Sequence, residues 1–179
     1  MSACPASVRS ALGAAIALDA GTVRVTDASA LASPLMDGLV RLAVFGTEAE
    51  KEWARWVIWE AARAVGTFSA SIHDFYMARG RGEVKGVTVP AMNIRGATYD
   101  TVRSVYRTAL RLDGAAIILE IARSEIAYTE QRPAEYVAVI LAAALREGYR
   151  GPVFVQGDHF QVNAKKYKVD AAAEVAAVK

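Results

Sequence analysis

The chain contains two histidines, and one of them stands where chemistry is commonly done. His159 closes the run Pro152-Val-Phe-Val-Gln156-Gly157-Asp158-His159, directly after a strand of the buried type. An imidazole there can hold a divalent cation through one ring nitrogen while a neighbour orients the other. A histidine that only hydrogen-bonds locally is an equal reading. Asp158 can serve as a general acid/base, as a metal ligand, or as the cap of the next turn. Asn93 and Arg95 end an earlier β-type run, and Glu120, Arg123, Ser124 and Glu125 surround the end of another. Glu120 is expected to pair with Arg95 or Arg123. Glu125 and Glu130 read as solvated loop charges or partners of Arg132. His73 reads as structural or exposed, and Lys165 and Lys166 as a solvated helix start.

The elements that must position these groups follow from periodicity. Residues 87–94, 115–121 and 152–156 read as strands, the second almost continuously apolar, as in a strand buried on both faces. Pro90 makes the first imperfect. Helical spacing links Val102, Val105, Tyr106, Ala109 and Leu112, with Thr98 as cap and Gly114 as left-handed stop. It also links Val137, Ile140, Leu141, Ala144 and Leu145, with Pro133 in the first turn and Gly148 at the end. Residues 123–132 are polar, and Asp170 caps a last helix. Strand, helix, strand, helix, strand, helix predicts a parallel sheet with right-handed crossovers. An open doubly wound sheet and a closed barrel both satisfy that pattern. No Gly-x-Gly-x-x-Gly follows a strand, which argues against dinucleotide binding. In either architecture the strand C-termini share one end of the sheet, so the candidate groups gather there.

Residues 1–82 read as an N-terminal helical extension. Thr47 and Glu50 form a capping-box signature ahead of Trp53, Trp56, Val57, Ala61 and Ala64 at helical spacing. The tryptophans read as a packed face. Asp27 is expected to cap an earlier helix through Leu31, Leu35, Leu39 and Leu42. Residues 11–18 are expected to form a small amphipathic helix, with Cys4 in a mobile tail. Gly80-Arg-Gly82 marks the boundary with a second region, residues 83–179.

The second region resembles the class II, zinc-dependent fructose-bisphosphate aldolases. The resemblance rests on Val89-Pro-Ala-Met-Asn93-Ile94 as a first barrel strand, on Gly151-Pro-Val-Phe-Val-Gln-Gly-Asp158-His159 as a third, and on the strand–helix order between them. It implies a (β/α)8 barrel that cleaves fructose 1,6-bisphosphate or a related ketose bisphosphate to dihydroxyacetone phosphate and an aldehyde. It further implies zinc held by three histidines, the first being His159, with Asp158 shuttling a proton and Asn93 lying near metal and substrate. The pattern departs from the family at Gln156, Phe160 and Ala122. The remaining zinc ligands, the catalytic Glu and the phosphate loops would follow residue 179. The chain is therefore expected to hold the first three βα units of a partial TIM barrel, homo-oligomeric at full length. The alternatives are another metal-dependent sugar-phosphate barrel lyase or isomerase, and an inactive fragment or subunit that needs a complementary chain.

Bulk composition is consistent with this reading. The chain has 179 residues, 54% of them hydrophobic and 22% charged, with a formal net charge of +2. That suffices for a well-buried domain and leaves no basic stripe for nucleic acid and no polybasic membrane patch. No run approaches the roughly 18 apolar residues of a membrane helix. One cysteine and the lack of a basic, cleavable leader lead to the expectation of a reducing, cytoplasmic location.

Overall fold

A computed structural model describes residues 3–19, 21–114 and 116–178. Helix α1 spans Ala6–Leu12, and the antiparallel strands β1 (Ile16–Asp19) and β2 (Thr22–Val25) follow. A 3-10 turn at Ala30–Ala32 leads into α2 (Leu35–Phe45), and α3 spans Glu48–Ala64. Strand β3 (Thr67–Ala70), helix α4 (His73–Gly80) and strand β4 (Ala91–Asn93) come next. Then follow α5 (Thr98–Arg111), β5 (Ile118–Ala122), α6 (Arg123–Thr129) and α7 (Pro133–Arg146). Strand β6 (Gly151–Asp158), α8 (Ala164–Val169) and α9 (Ala171–Ala176) complete the order.

The fold is mixed α/β with a parallel four-stranded sheet in the order β3-β6-β5-β4. The three expected strands lie side by side in chain order. The register sets Asn93 level with Glu120, Glu120 level with Gln156, and Ala122 level with Asp158. A further strand, β3, comes from the region expected to be wholly helical and pairs with the outer edge of β6. The described sheet is open.

Strand alternation divides the sheet into two faces. Leu119, Ile121 and Val153 enter the core shared with α2, α3, α5 and α7. Asn93, Glu120, Gln156 and Asp158 occupy alternate positions and carry polar groups to the opposite face. Helix α7 is the centre of the core: Ala138 through Leu145 are all buried. A helix that is apolar all round must be surrounded, and α2, α3, α5, β3 and β6 all pack on it. The Tyr136 hydroxyl donates to the Glu120 carbonyl at 2.5 Å, tying α7 to β5.

Several expectations are corrected by these elements. Gly13, at φ 57°, ends α1 at Leu12, so Ile16 and Leu18 pair with β2 instead of continuing a helix. Cys4 is buried against the core, not in a mobile tail. Asp27 does not cap α2: its carboxylate accepts from the Ser29 and Ala30 N–H groups in the turn before the 3-10 segment, and α2 starts only after Pro34. Strand β4 is shorter than residues 87–94. Proline has no N–H to donate, and Pro90 joins the sheet only by accepting from Ile118 N–H at 2.9 Å. Ala115, where the second strand was expected to begin, and Lys179 lie outside the described residues. Residues 123–129 are helical, not loop. Thr98 does not cap α5; its hydroxyl donates to Gln131, and the left-handed stop after α5 is Asp113, not Gly114. The capping box of Thr47 and Glu50 and the cap at Asp170 form as expected.

Around α7 the helices are joined by a charged network. Glu147 accepts from Arg103 Nε at 2.7 Å and Arg107 Nη2 at 2.9 Å. Asp37 accepts from Tyr99 at 2.7 Å and Arg146 at 3.2 Å. The Arg107 and Arg103 guanidiniums hold the Glu147 carboxyl below its ordinary value, against its burial. A depressed carboxyl stabilises the fold above the unfolded value near 4.3 and loses that contribution as pH falls through the folded value. Glu147→Gln should therefore lower unfolding free energy by about 1–3 kcal/mol at pH 7. In urea titrations the difference from the unsubstituted chain should shrink as pH drops below about 4.3.

Candidate functional site

The ends of β4, β5 and β6 bring four side chains into one hydrogen-bonded cluster. The Asn93 Nδ2 amino group donates to Asp158 Oδ2 at 2.9 Å and to Glu125 Oε2 at 3.1 Å. Both amino hydrogens are thus used, one on each acid. Arg95 Nε donates to Glu125 Oε1. His159 Nε2 lies 3.4 Å from Asp158 Oδ1.

Each residue is placed by a local cause. Asn93 ends β4, and Ile94 N–H extends the ladder to the Glu120 carbonyl at 3.2 Å. Strand β5 passes into α6 without a loop, which makes Glu125 the third helical residue. From there its Oε2 folds back onto the Ala122 N–H at 2.8 Å, the carboxylate half of a capping box. Asp158 ends β6 on the same sheet face as Gln156. His159 then adopts φ 50°, a left-handed conformation that a non-glycine residue enters at a cost. Its side chain is 75% exposed, while that of Asp158 is 28% exposed. The ring of Phe160 lies over Gly157, where an added Cβ would stand 2.5 Å from it, so glycine lets the chain fold back at this point.

The electrostatics centre on Glu125. Its side chain is 6% exposed. Burial pushes the carboxyl up, but hydrogen bonds from Ala122 N–H, Asn93 and Arg95, with the Arg95 charge, outweigh burial and hold it below the ordinary range. The expectation of a solvated Glu125 is therefore wrong. The strand-to-helix junction turns the carboxylate inward, where three donors meet it. Glu120 pairs with neither arginine: its carboxylate accepts from Gln156, and Arg123 pairs instead with Glu174 at 2.8 Å. His73 begins α4, is exposed, and stands outside the cluster. Lys165 and Lys166 are exposed on α8, as expected.

The arrangement presents a carboxylate, Asp158, oriented by an amide and flanked by an exposed imidazole. It can hold or move a proton and can offer one nitrogen and one oxygen to a cation. Asn93, Asp158 and His159 were legible as strand-end residues. Glu125 was legible beside its strand end but read as a solvated loop charge or a partner of Arg132, because α6 has no Ser, Thr, Asp or Asn at its N-cap to announce a helix start. No protein-family model, no curated protein and no solved structure matches the chain.

Asn93 is the donor that two acids share. Asn93→Asp replaces it with an isosteric acceptor and leaves three carboxylates facing one another. The variant should lose about 2–3 kcal/mol in chemical denaturation. Glu130→Ala, on an exposed residue just past α6, should change stability by no more than about 0.5 kcal/mol. Equal effects from the two would show that the Asn93 bridge has no structural weight.

Proposed function

We propose that this chain provides the Asn93, Asp158 and His159 part of an aldehyde-lyase site of the class II aldolase kind, acting on fructose 1,6-bisphosphate or a related ketose bisphosphate. The observation that carries the reading is the Asn93–Asp158 hydrogen bond across the ends of β4 and β6, with His159 beside it. Three parallel strands in chain order, with polar groups at alternate positions of one face, are what the first units of a (β/α)8 barrel would require, while β3 takes the edge of β6 where a fourth barrel strand would pair.

In this reading Asp158 is the proton carrier. Asn93 holds its Oδ2, which leaves Oδ1 toward His159 and the open end of the sheet. From there it takes or returns a proton at the hydroxyl of the carbon being cleaved. Asn93 orients the carboxylate and lies within reach of a bound ketose. Glu125 and Arg95 keep the Asn93 amide turned toward Asp158.

The donors fit zinc in type and fall short in number. His159 and Asp158 offer nitrogen and oxygen, but a catalytic zinc takes about three protein ligands. Among the described residues no group of three His, Cys, Asp or Glu could hold a metal ion. When bound, the ion would supply Lewis-acid polarisation of the substrate carbonyl. The shortfall favours a second reading alongside the first, in which the chain is a subunit or fragment whose site a complementary chain completes. No helix of the described residues is long and apolar enough to cross a membrane.

By itself the chain should show no cleavage of fructose 1,6-bisphosphate in a coupled assay. It should bind zinc weakly in equilibrium dialysis, and His159→Ala should abolish that binding. In an assembly that does cleave the sugar, a chelator should stop the reaction, and Asp158→Asn should slow it about 10²-fold or more. Zinc binding indifferent to His159→Ala would sink the assignment.

A further inference from the structure

A cavity of about 230 Å³ lies at the N-terminal end of the sheet, where β5 and β6 begin. At about 3.3 Å per residue, β6 runs roughly 20 Å from Pro152, on the cavity wall, to Asp158 in the strand-end cluster. The two places are therefore separate. Four aromatic rings line the cavity: Tyr106 from α5, Tyr149 ahead of β6, Phe154 within β6 and Phe75 from α4. The Tyr106 and Tyr149 rings stand 4.9 Å apart, tilted by 36°. No charged side chain of the described residues lines the space.

One polar group of this wall is left over. Tyr106 is 2% exposed, yet its hydroxyl has no hydrogen-bond partner among the described residues. The neighbouring hydroxyl is engaged, since Tyr149 donates to the Pro152 carbonyl at 2.7 Å. Among the described residues, every side-chain oxygen or nitrogen that is sealed from solvent does have a partner. The Tyr106 oxygen is therefore not sealed, and the space it meets is the cavity that its ring lines. Burial, with Tyr149 nearby, pushes the phenol up, so the proton stays on and the group can donate. A buried tyrosine ordinarily finds a partner for its hydroxyl, and leaving that bond unmade is costly.

We propose that this cavity binds a small uncharged aromatic molecule that accepts the Tyr106 hydroxyl hydrogen through one oxygen. Size sets the limits. Drug-sized sites begin at roughly 300 Å³, while an apolar cavity of about 150 Å³ already takes benzene. The space therefore suits one substituted ring. Aromatic walls favour an aromatic guest through offset and edge-to-face contacts. With no lining charge among the described residues, an ionic group would enter without a counter-charge, which is strongly disfavoured. The site uses neither His159 nor a metal, so it stands apart from the reading of the strand-end cluster.

The test is an amide NMR titration of the 179-residue chain with acetophenone, ethylbenzene and benzoate in separate arms. Acetophenone should give saturable shifts at residues 106, 109, 149 and 154. Ethylbenzene, which has no acceptor, should bind the same residues about fivefold more weakly. Benzoate should not bind there. Tyr106→Phe keeps the ring and removes only an unbonded oxygen, so its urea midpoint should not fall. In that variant acetophenone should drop to the affinity of ethylbenzene, and ethylbenzene should be unchanged. Phe75→Ala removes a wall from α4, a helix with no buried residue, and should weaken both neutral probes. His159→Ala should change neither. Shifts confined to other residues, benzoate binding as well as acetophenone, acetophenone affinity untouched by Tyr106→Phe, or a lowered urea midpoint in that variant would overturn the proposal.

Discussion

Beyond its first turn helix α7 has almost no face for water, and most of the architecture follows from that constraint. From Ala138 to Leu145 every residue is buried. Apolar surface of this extent is stable only when other elements take the place of solvent around it. Helices α2 and α3 from the N-terminal region, α5 from between the strands, and β3 at the sheet edge all fill that role. The two regions therefore share one hydrophobic cluster. Tyr136 carries the constraint to the site: its hydroxyl reaches from the buried helix to the Glu120 carbonyl and sets the height of β5 relative to α7.

The candidate site resolves a conflict between acids. Glu125 and Asp158 converge on the same strand ends, and two carboxylates left facing each other would push one another toward protonation. The Asn93 amino group stands between them and bonds both. Arg95 neutralises Glu125 from the solvent side, and the Ala122 N–H does so from the backbone. Glu125 is thereby kept ionised in a largely dry place, while Asp158 retains an oxygen toward the exposed His159. The left-handed backbone at His159 keeps that ring at the mouth of the sheet, at a local conformational cost that the surrounding contacts hold in place.

What could be read in advance was what short-range chemistry encodes. The parallel strand, helix, strand order was visible in hydrophobic period, and the Thr47 and Asp170 caps in single residues and their spacing. The residues at the strand ends were visible because parallel sheets place reactive groups there. Asn93, Asp158 and His159 could be named together for that reason, although nothing in their local sequence states a distance. Glu125 could be named near its strand end, but not its burial or its partners. Its neighbours read as polar loop, and only the direct passage from β5 into α6 turns it inward.

By itself the amino-acid sequence determined the periodic elements, the helix stops at Gly148 and the identity of the groups that end each strand. Tertiary structure alone decided that β3 leaves the helical region to pair with β6, that Cys4 is core, and which arginine meets which acid. Thr67 and Gly151 are partners across the sheet. A pairing over such a separation depends on which edge remains open once α7 is surrounded, and a pattern read a few residues at a time carries no information about edges. Ion pairs follow the same logic. Residue type supplies the charge, but the partner is whichever opposite charge the packed backbone brings within reach.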